Sequence, residues 1–324
     1  MGRDALSVPA ITGQVVASPV DHYRQLVQAR QRAAQPMRLV EYVAVYATTH
    51  EIEVETARQY RITAERMEAW AGCPIMLTDL NELLVSGWLR AYAAEGWKPS
   101  TVRSKRTQLL ALWRAAADEY LCEPPTRRVR SARVPWEPRD CWTLDEVNQL
   151  LRAASWLRNS PGGGMPRAEW FDLAIRVAWD TGLRWGDQIA LRTDAIYNDV
   201  VVVAQRKTRR PACGRLSRST MAVLADSLRR WPRDRVTPWK WSHETFNAQV
   251  RRLVVKAGIR PGTWKWLRRG SATDVEIQEP GKGMAARHLG HAPGSKVAEI
   301  NYLSPAIIAQ HVPMVSPREL GAAG

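Results

Sequence analysis

The stretch CEPPTRRVRSARVPWEPRD, residues 122–140, divides the chain. Its prolines fix φ and withdraw backbone donors, so no helix or central strand runs through it. It has almost no apolar periodicity and offers no face to a core. The chain must therefore bury its apolar residues separately on either side, and 324 residues are enough for two cores. The expected organisation is a tail or short arm over 1–36, a helical domain over 37–121, a basic linker over 122–140 and a second domain over 141–324. The linker is either solvated or laid along a phosphate backbone.

The formal net charge is +15, and only eight of the 47 basic residues are lysine. Arginine forks match phosphate oxygens in pairs, which lysine does not. The charge favours a polyanionic partner, with nucleic acid ahead of a membrane surface. No apolar run approaches a membrane-spanning length, and the N-terminus does not read as a signal peptide. Four scattered cysteines without a CxxC pair suggest a reducing compartment and no structural zinc. The six histidines lack metal-site spacing, so neither a metal nor another cofactor is expected.

Apolar residues recur at three- and four-residue spacing from 37 to 121, predicting four or five helices. Thr78 and Ser100-Thr101 are plausible starts for two of them. In the second domain Thr143 caps a helix, and AEWFDLAIRVAWDTG is an amphipathic helix ending at Gly182. A short three-stranded sheet follows: a strand to Tyr197, a turn at Asn198-Asp199, the VVVVAQ strand, a basic turn, and a strand near 212–217. Helices are expected near 218–230, 242–257, 264–277 and 281–289. The fold class is mainly α with a small antiparallel β-sheet.

DTGLRWGDQIAL, residues 180–191, places Arg184 between a leucine and a tryptophan. A guanidinium cannot lose its proton and is costly beside buried neighbours unless something negative meets it. Asp187 is one candidate partner; a ligand is the other. Further residues bear on the choice. Lys207 lies at the tip of the basic hairpin. Lys265 and Arg268 are three apart on one helical face. His291 and Tyr302 follow. Each alone fits a plain role: a solvated turn, a charged helix face, a helix end, a packed ring. Their joint order is more specific.

The motifs TGLRWGD, KTRRP, KWLR, HLGH and INY make residues 140–310 resemble the catalytic domain of the tyrosine recombinases, the phage-integrase family. The helices over 37–121 resemble its core-binding, SAM-like domain through general pattern. Two departures stand out. Lysine occupies position 265 where the family usually has histidine, and the loop between His291 and Tyr302 is slightly longer than usual.

The resemblance implies catalytic roles for Arg184, Lys207, Lys265, Arg268, His291 and Tyr302. Attack on a phosphodiester builds negative charge, which the forks of Arg184 and Arg268 would neutralise. Asp187 would orient Arg184 from behind. Tyr302 would be the nucleophile, Lys207 the proton donor to the leaving 5′ oxygen, and His291 a hydrogen-bond partner of the phosphate. Lys265 would add charge or help accept the tyrosine proton. The product would be a 3′-phosphotyrosine and a 5′-hydroxyl, with rejoining independent of ATP and metal.

The implied partner is double-stranded DNA. Candidate contacts are Arg103, Lys105 and Arg106 in the helical domain, Arg127 and Arg128 in the linker, Arg206, Arg209 and Arg210 at the hairpin, and Arg269. A homotetramer on paired sites is expected, with segment 306–315 docked either on its own domain or into a neighbour. The expected location is the cytoplasm, at the nucleoid. Two rival readings remain: a type IB topoisomerase with the same chemistry, towards which Lys265 leans, and a non-catalytic DNA-binding protein on the same fold.

Overall fold

The computed structural model describes residues 36–126, 128–135, 137–157, 164–292 and 295–311. Residues 1–35 of the expected arm, and Arg127, lie outside them. The chain divides into two compact units, Met1–Trp136 and Glu137–Gly324.

In the first unit α1 (Leu39–Thr49), α2 (Val54–Ala71), α3 (Glu82–Ala94) and α4 (Pro99–Asp118) enclose Leu39, Tyr42, Met67, Trp88, Leu109, Leu112 and Trp113. Proline at the first position of α4 presets φ for the helix and sacrifices an N–H that has no intrahelical partner. The helix therefore opens just ahead of Ser100-Thr101. Thr78 is not a helix start. It lies in a 3-10 turn, Leu77–Asp79, and the cap of α3 is Asn81, whose side chain accepts the Leu84 N–H at 2.9 Å.

The proline- and arginine-rich segment begins as part of this unit. Val129 is buried in its core. Trp113 donates to the Glu123 carbonyl at 2.8 Å, Arg106 to that of Val129 at 2.8 Å, and Arg103 to that of Ala132 at 3.2 Å. An irregular segment without a ladder leaves carbonyls that need donors, and α4 supplies them.

The second unit is built around α6 (Arg167–Thr181), which buries Trp170, Phe171, Leu173, Ala174, Ile175, Val177 and Ala178. A helix apolar around most of its circumference belongs inside. Around it pack α5 (Leu144–Ala154), α8 (Arg218–Arg230), α10 (Lys265–Gln278) and a sheet edge. Thr143 and Glu146 close a capping box at the start of α5. The short helix α7 (Trp185–Ala190) follows α6, and α9 (His243–Ala257) packs on α5.

Strands β1 (Ile196–Tyr197), β2 (Val200–Ala204) and β3 (Pro211–Arg215) pair antiparallel in that order, with Val201 opposite Gly214 and Val203 opposite Ala212. The third strand stops before 217 because Ser217 turns to cap α8, accepting the Thr220 N–H at 3.3 Å. Helix α11 (Met284–His288) opens later than position 281, after a bend over residues 281–283. Two short helices close the described chain, α12 (Val297–Asn301) and α13 (Pro305–His311), the latter against α10 of its own unit. Residues 312–315 of the expected docking segment lie outside the described residues. No helix among the described residues is long and apolar enough to cross a membrane.

Candidate active site

Arg184 is held by the tryptophan beside it. Trp185 stacks on Phe246 with ring centres 3.4 Å apart and lies edge-on to Trp170 and Trp264. These buried rings pin the backbone, while the Arg184 side chain stays 24% exposed. Its Nη1 donates to Gln205 Oε1 at 2.6 Å and lies 4.0 Å from Asp187 Oδ2. Asp187 is buried, and its Oδ1 accepts the backbone N–H of Arg206 at 2.9 Å. The carboxylate therefore anchors the hairpin backbone more closely than it pairs with the guanidinium.

Arg268 lies in the first turn of α10 and is 3% exposed. It donates to the Gly182 carbonyl through Nη1 and to the Leu289 carbonyl through Nη2 at 2.9 Å, and Nη2 lies 3.5 Å from His291 Nε2. These acceptors are neutral, and no carboxylate makes a salt bridge with it among the described residues. Burial pushes its pKa down to about 10, so it remains a cation at neutral pH. A buried, unneutralised cation is costly to keep and is relieved when an anion arrives. Gly182, which provides one acceptor, ends α6 at φ 57°, and a Cβ there would stand 2.8 Å from His288 Nε2. Only glycine fits both the turn and the space.

Tyr302 follows α12 and is 8% exposed. Its ring packs with Ala272, Ala285, Leu289, Ala298 and Leu303, and the next turn is tied down where Thr273 Oγ1 accepts the Ser304 N–H at 3.1 Å. The ring lies 4.9 Å from the Arg268 guanidinium carbon, 5.3 Å from Lys265 Nζ and 5.2 Å from the His291 ring centre. Burial raises the phenol pKa, but Arg268, Arg184 and Lys265 outweigh it and bring the net value below the ordinary one. Burial lowers the Lys265 pKa; Tyr302 partly opposes this, and Arg269, Arg139 and Arg268 reinforce it. Burial, with Arg268 and Arg184 beside it, brings His291 down to about 4, so it is neutral at pH 7.

Arg184, Lys265, Arg268, His291 and Tyr302 thus gather in one cluster. Lys207 does not join it directly: it is exposed in the turn between β2 and β3, with Arg206, Arg209 and Arg210. Arg128 is exposed, and Arg269 donates to the Asp140 carbonyl at 3.1 Å. Arg103 and Arg106 hold the segment after α4, as described above. Lys105 does not lie on an exposed basic side as the sequence suggested. It is 7% exposed, with its ammonium 2.9 Å from Thr63 Oγ1 and 3.4 Å from Gln108 Oε1.

Sequence reasoning missed Gln205, which touches Arg184, and His288, which lies 2.6 Å from Ser271 Oγ and fills the space beside Gly182. A signal for Gln205 existed. Strand period puts it on the same face as buried Val201, where a polar residue needs partners. Among the described residues, no three His, Cys, Asp or Glu side chains stand together as a metal site would require.

The architecture of the second unit, a mostly helical body with a small three-stranded antiparallel sheet, matches the fold of the tyrosine recombinase catalytic domain. Three solved structures illustrate the likeness. A lambda integrase dimer bound to a COC′ core site is 22% identical over 85% of this chain and 80% of its own, with a TM-score of 0.63. XerH bound to a palindromic difH substrate is 14% identical over 91% and 89%, at 0.65. The Tn1549 transposon integrase with circular intermediate DNA is 11% identical over 85% and 98%, at 0.62. No family model matches the sequence, and no curated protein does.

Proposed function

We propose that this chain is a site-specific DNA recombinase that cleaves and rejoins strands through a covalent 3′-phosphotyrosine at Tyr302. The observation that carries the reading is the Tyr302 ring packed within about 5 Å of two basic side chains, Lys265 and Arg268, and of the neutral His291 ring. Such a pocket suits a scissile phosphate and a phenolate together. Arg184 and Arg268 take the non-bridging oxygens, where charge grows during attack. His291, neutral at pH 7, offers a hydrogen bond. The Tyr302 oxygen bonds to phosphorus, the bond to the 5′ oxygen breaks, and that oxygen takes a proton from Lys207. The phenol proton passes to Lys265, whose lowered pKa makes its free amine more accessible. The reverse sequence reseals a strand with no external energy source.

The similar proteins are described with DNA, one as a dimer on its core site and one as a tetramer on a Holliday junction. We infer a double-stranded DNA partner and assembly of four protomers on paired sites in the cytoplasm, at the nucleoid. Arg128, Arg206, Arg209, Arg210 and Arg269 remain proposed DNA contacts.

The test is to trap protein–DNA adducts with denaturant in cells expressing the protein and to sequence the attached DNA. The sequences should converge on one site. On nicked substrates carrying it, Arg184→Ala and Arg268→Ala should each reduce adduct formation at least ~10²-fold, as losing a charge-stabilising donor does elsewhere. Near-wild-type cleavage would remove that arginine from the site.

A further inference from the structure

Gln205 has no solvent exposure, yet it follows β2 directly and opens the basic turn. Its Oε1 accepts from Arg184 Nη1 at 2.6 Å and from Thr208 Oγ1 at 2.9 Å. Its Nε2 donates at 3.0 Å to the Leu289 carbonyl, which also receives Arg268. Its backbone N–H reaches the Arg210 carbonyl, and its own carbonyl receives the Arg209 N–H, both at 2.8 Å. The amide orientation follows from the partners, since a guanidinium cannot accept and a carbonyl cannot donate. Gly290 leaves the amide its room: at φ 64°, a Cβ there would sit 2.7 Å from Gln205 Nε2.

A buried glutamine can be simply a satisfied core residue. This one joins groups with separate tasks. It grips the guanidinium expected to bind the phosphate, and it holds the residue next to Lys207. With the Leu289 carbonyl as its third anchor, it ties the turn to the part of the chain that also fixes Arg268. A shift of Arg184 towards an arriving anion therefore acts on the turn through one shared oxygen.

We propose that Gln205 is a positioning residue coupling the Arg184 anion site to the placement of Lys207, so that protonation of the departing oxygen depends on it. The inference rests on the recombinase reading above. In the step concerned, the bond from phosphorus to the 5′ oxygen breaks, its electron pair stays on oxygen, and the Lys207 ammonium supplies the proton. Tyr302 loses one proton elsewhere in the same cleavage, and nothing is oxidised or reduced.

Two substrates separate this role from a structural one: the trapped DNA site with its natural bridging 5′ oxygen, and the same site with sulfur in that place. A thiol has a pKa of ~8.5, against roughly 16 for a water-like oxygen, so the sulfur leaves without a proton. On the oxygen substrate Gln205→Leu should slow adduct formation ~10²-fold, the lower range for loss of general acid catalysis. On the sulfur substrate it should come within about fivefold of wild type. Lys207→Ala should show the same pattern, and Arg184→Ala should be slow on both. Gln205→Met, which keeps the length and adds no charge but loses both the acceptor and the donor, should show the same oxygen-specific loss and carries the test if the leucine variant does not fold. An equal loss on both substrates, or none, overturns the coupling. A wild-type protein that forms no adduct on either overturns the underlying recombinase reading as well.

Discussion

Arg268 directs its hydrogen bonds to backbone carbonyls, so its charge is available to a ligand. The same pocket depends on a half-buried, neutral histidine. Burial holds His288 down to about 4, against roughly 6.5 in an unfolded chain. The folded state takes up that proton later than the unfolded state does, so stability is kept above pH 6.5 and lost as pH falls towards 4. Between pH 7 and pH 4.5 the wild type should lose roughly 2 kcal/mol more than His288→Gln in urea denaturation, by the conversion of about 1.4 kcal/mol per pKa unit. Equal losses would show that His288 titrates normally. Much of this pocket was legible from motif order, because Arg184, Arg268, His291 and Tyr302 carry distinctive neighbours. Gln205 was not, since two of its side-chain partners, Arg184 and Leu289, are distant in sequence. Lys105 was misread as surface charge, although its spacing from Val102, Leu109 and Leu112 put it on the apolar face of α4.

The hairpin and the loop from Leu289 to His291 meet where Gly290 faces Ala212, and a Cβ at 290 would stand 2.7 Å from that of Ala212. Gly290→Ala combines a left-handed backbone with overpacking, at about 2–4 kcal/mol together. We expect a lowered denaturation midpoint and, in the fraction still folded, slower adduct formation on natural DNA. A fully stable, fully active variant would show that the contact is dispensable. Thr143→Ala removes the α5 cap and should cost about 1 kcal/mol without changing the cleavage rate of folded protein. The sheet, its Asn198-Asp199 turn and the helices of the second unit were readable because period and punctuation agree there. The Asn81 cap was harder to see, since Thr78 offers the same chemistry three residues earlier and only the intervening 3-10 turn decides between them. Helices α12 and α13 are too short for periodicity to reveal; packing on the Tyr302 cluster and on α10 holds them.

For the proposed DNA partner, a net charge of +15 predicts binding dominated by phosphate contacts and counterion release. Affinity for duplex DNA should fall about 10³-fold or more between 50 and 200 mM salt, measured by fluorescence anisotropy; a flat salt response would argue against a phosphate-tracking surface. Composition pointed to a polyanionic partner, and the proline-rich interruption made two cores legible. It did not reveal that the first part of that interruption packs as a piece of the helical unit, because the carbonyls that secure it meet side chains of α4. The most direct test of the whole account is mass spectrometry of trypsin-digested, denaturant-trapped adducts. The account requires nucleotide attached through a 3′ phosphate to the peptide spanning 297–318, which contains Tyr302, and its loss in Tyr302→Phe while DNA affinity is retained. Attachment to another residue, or an adduct that survives in Tyr302→Phe, would contradict it.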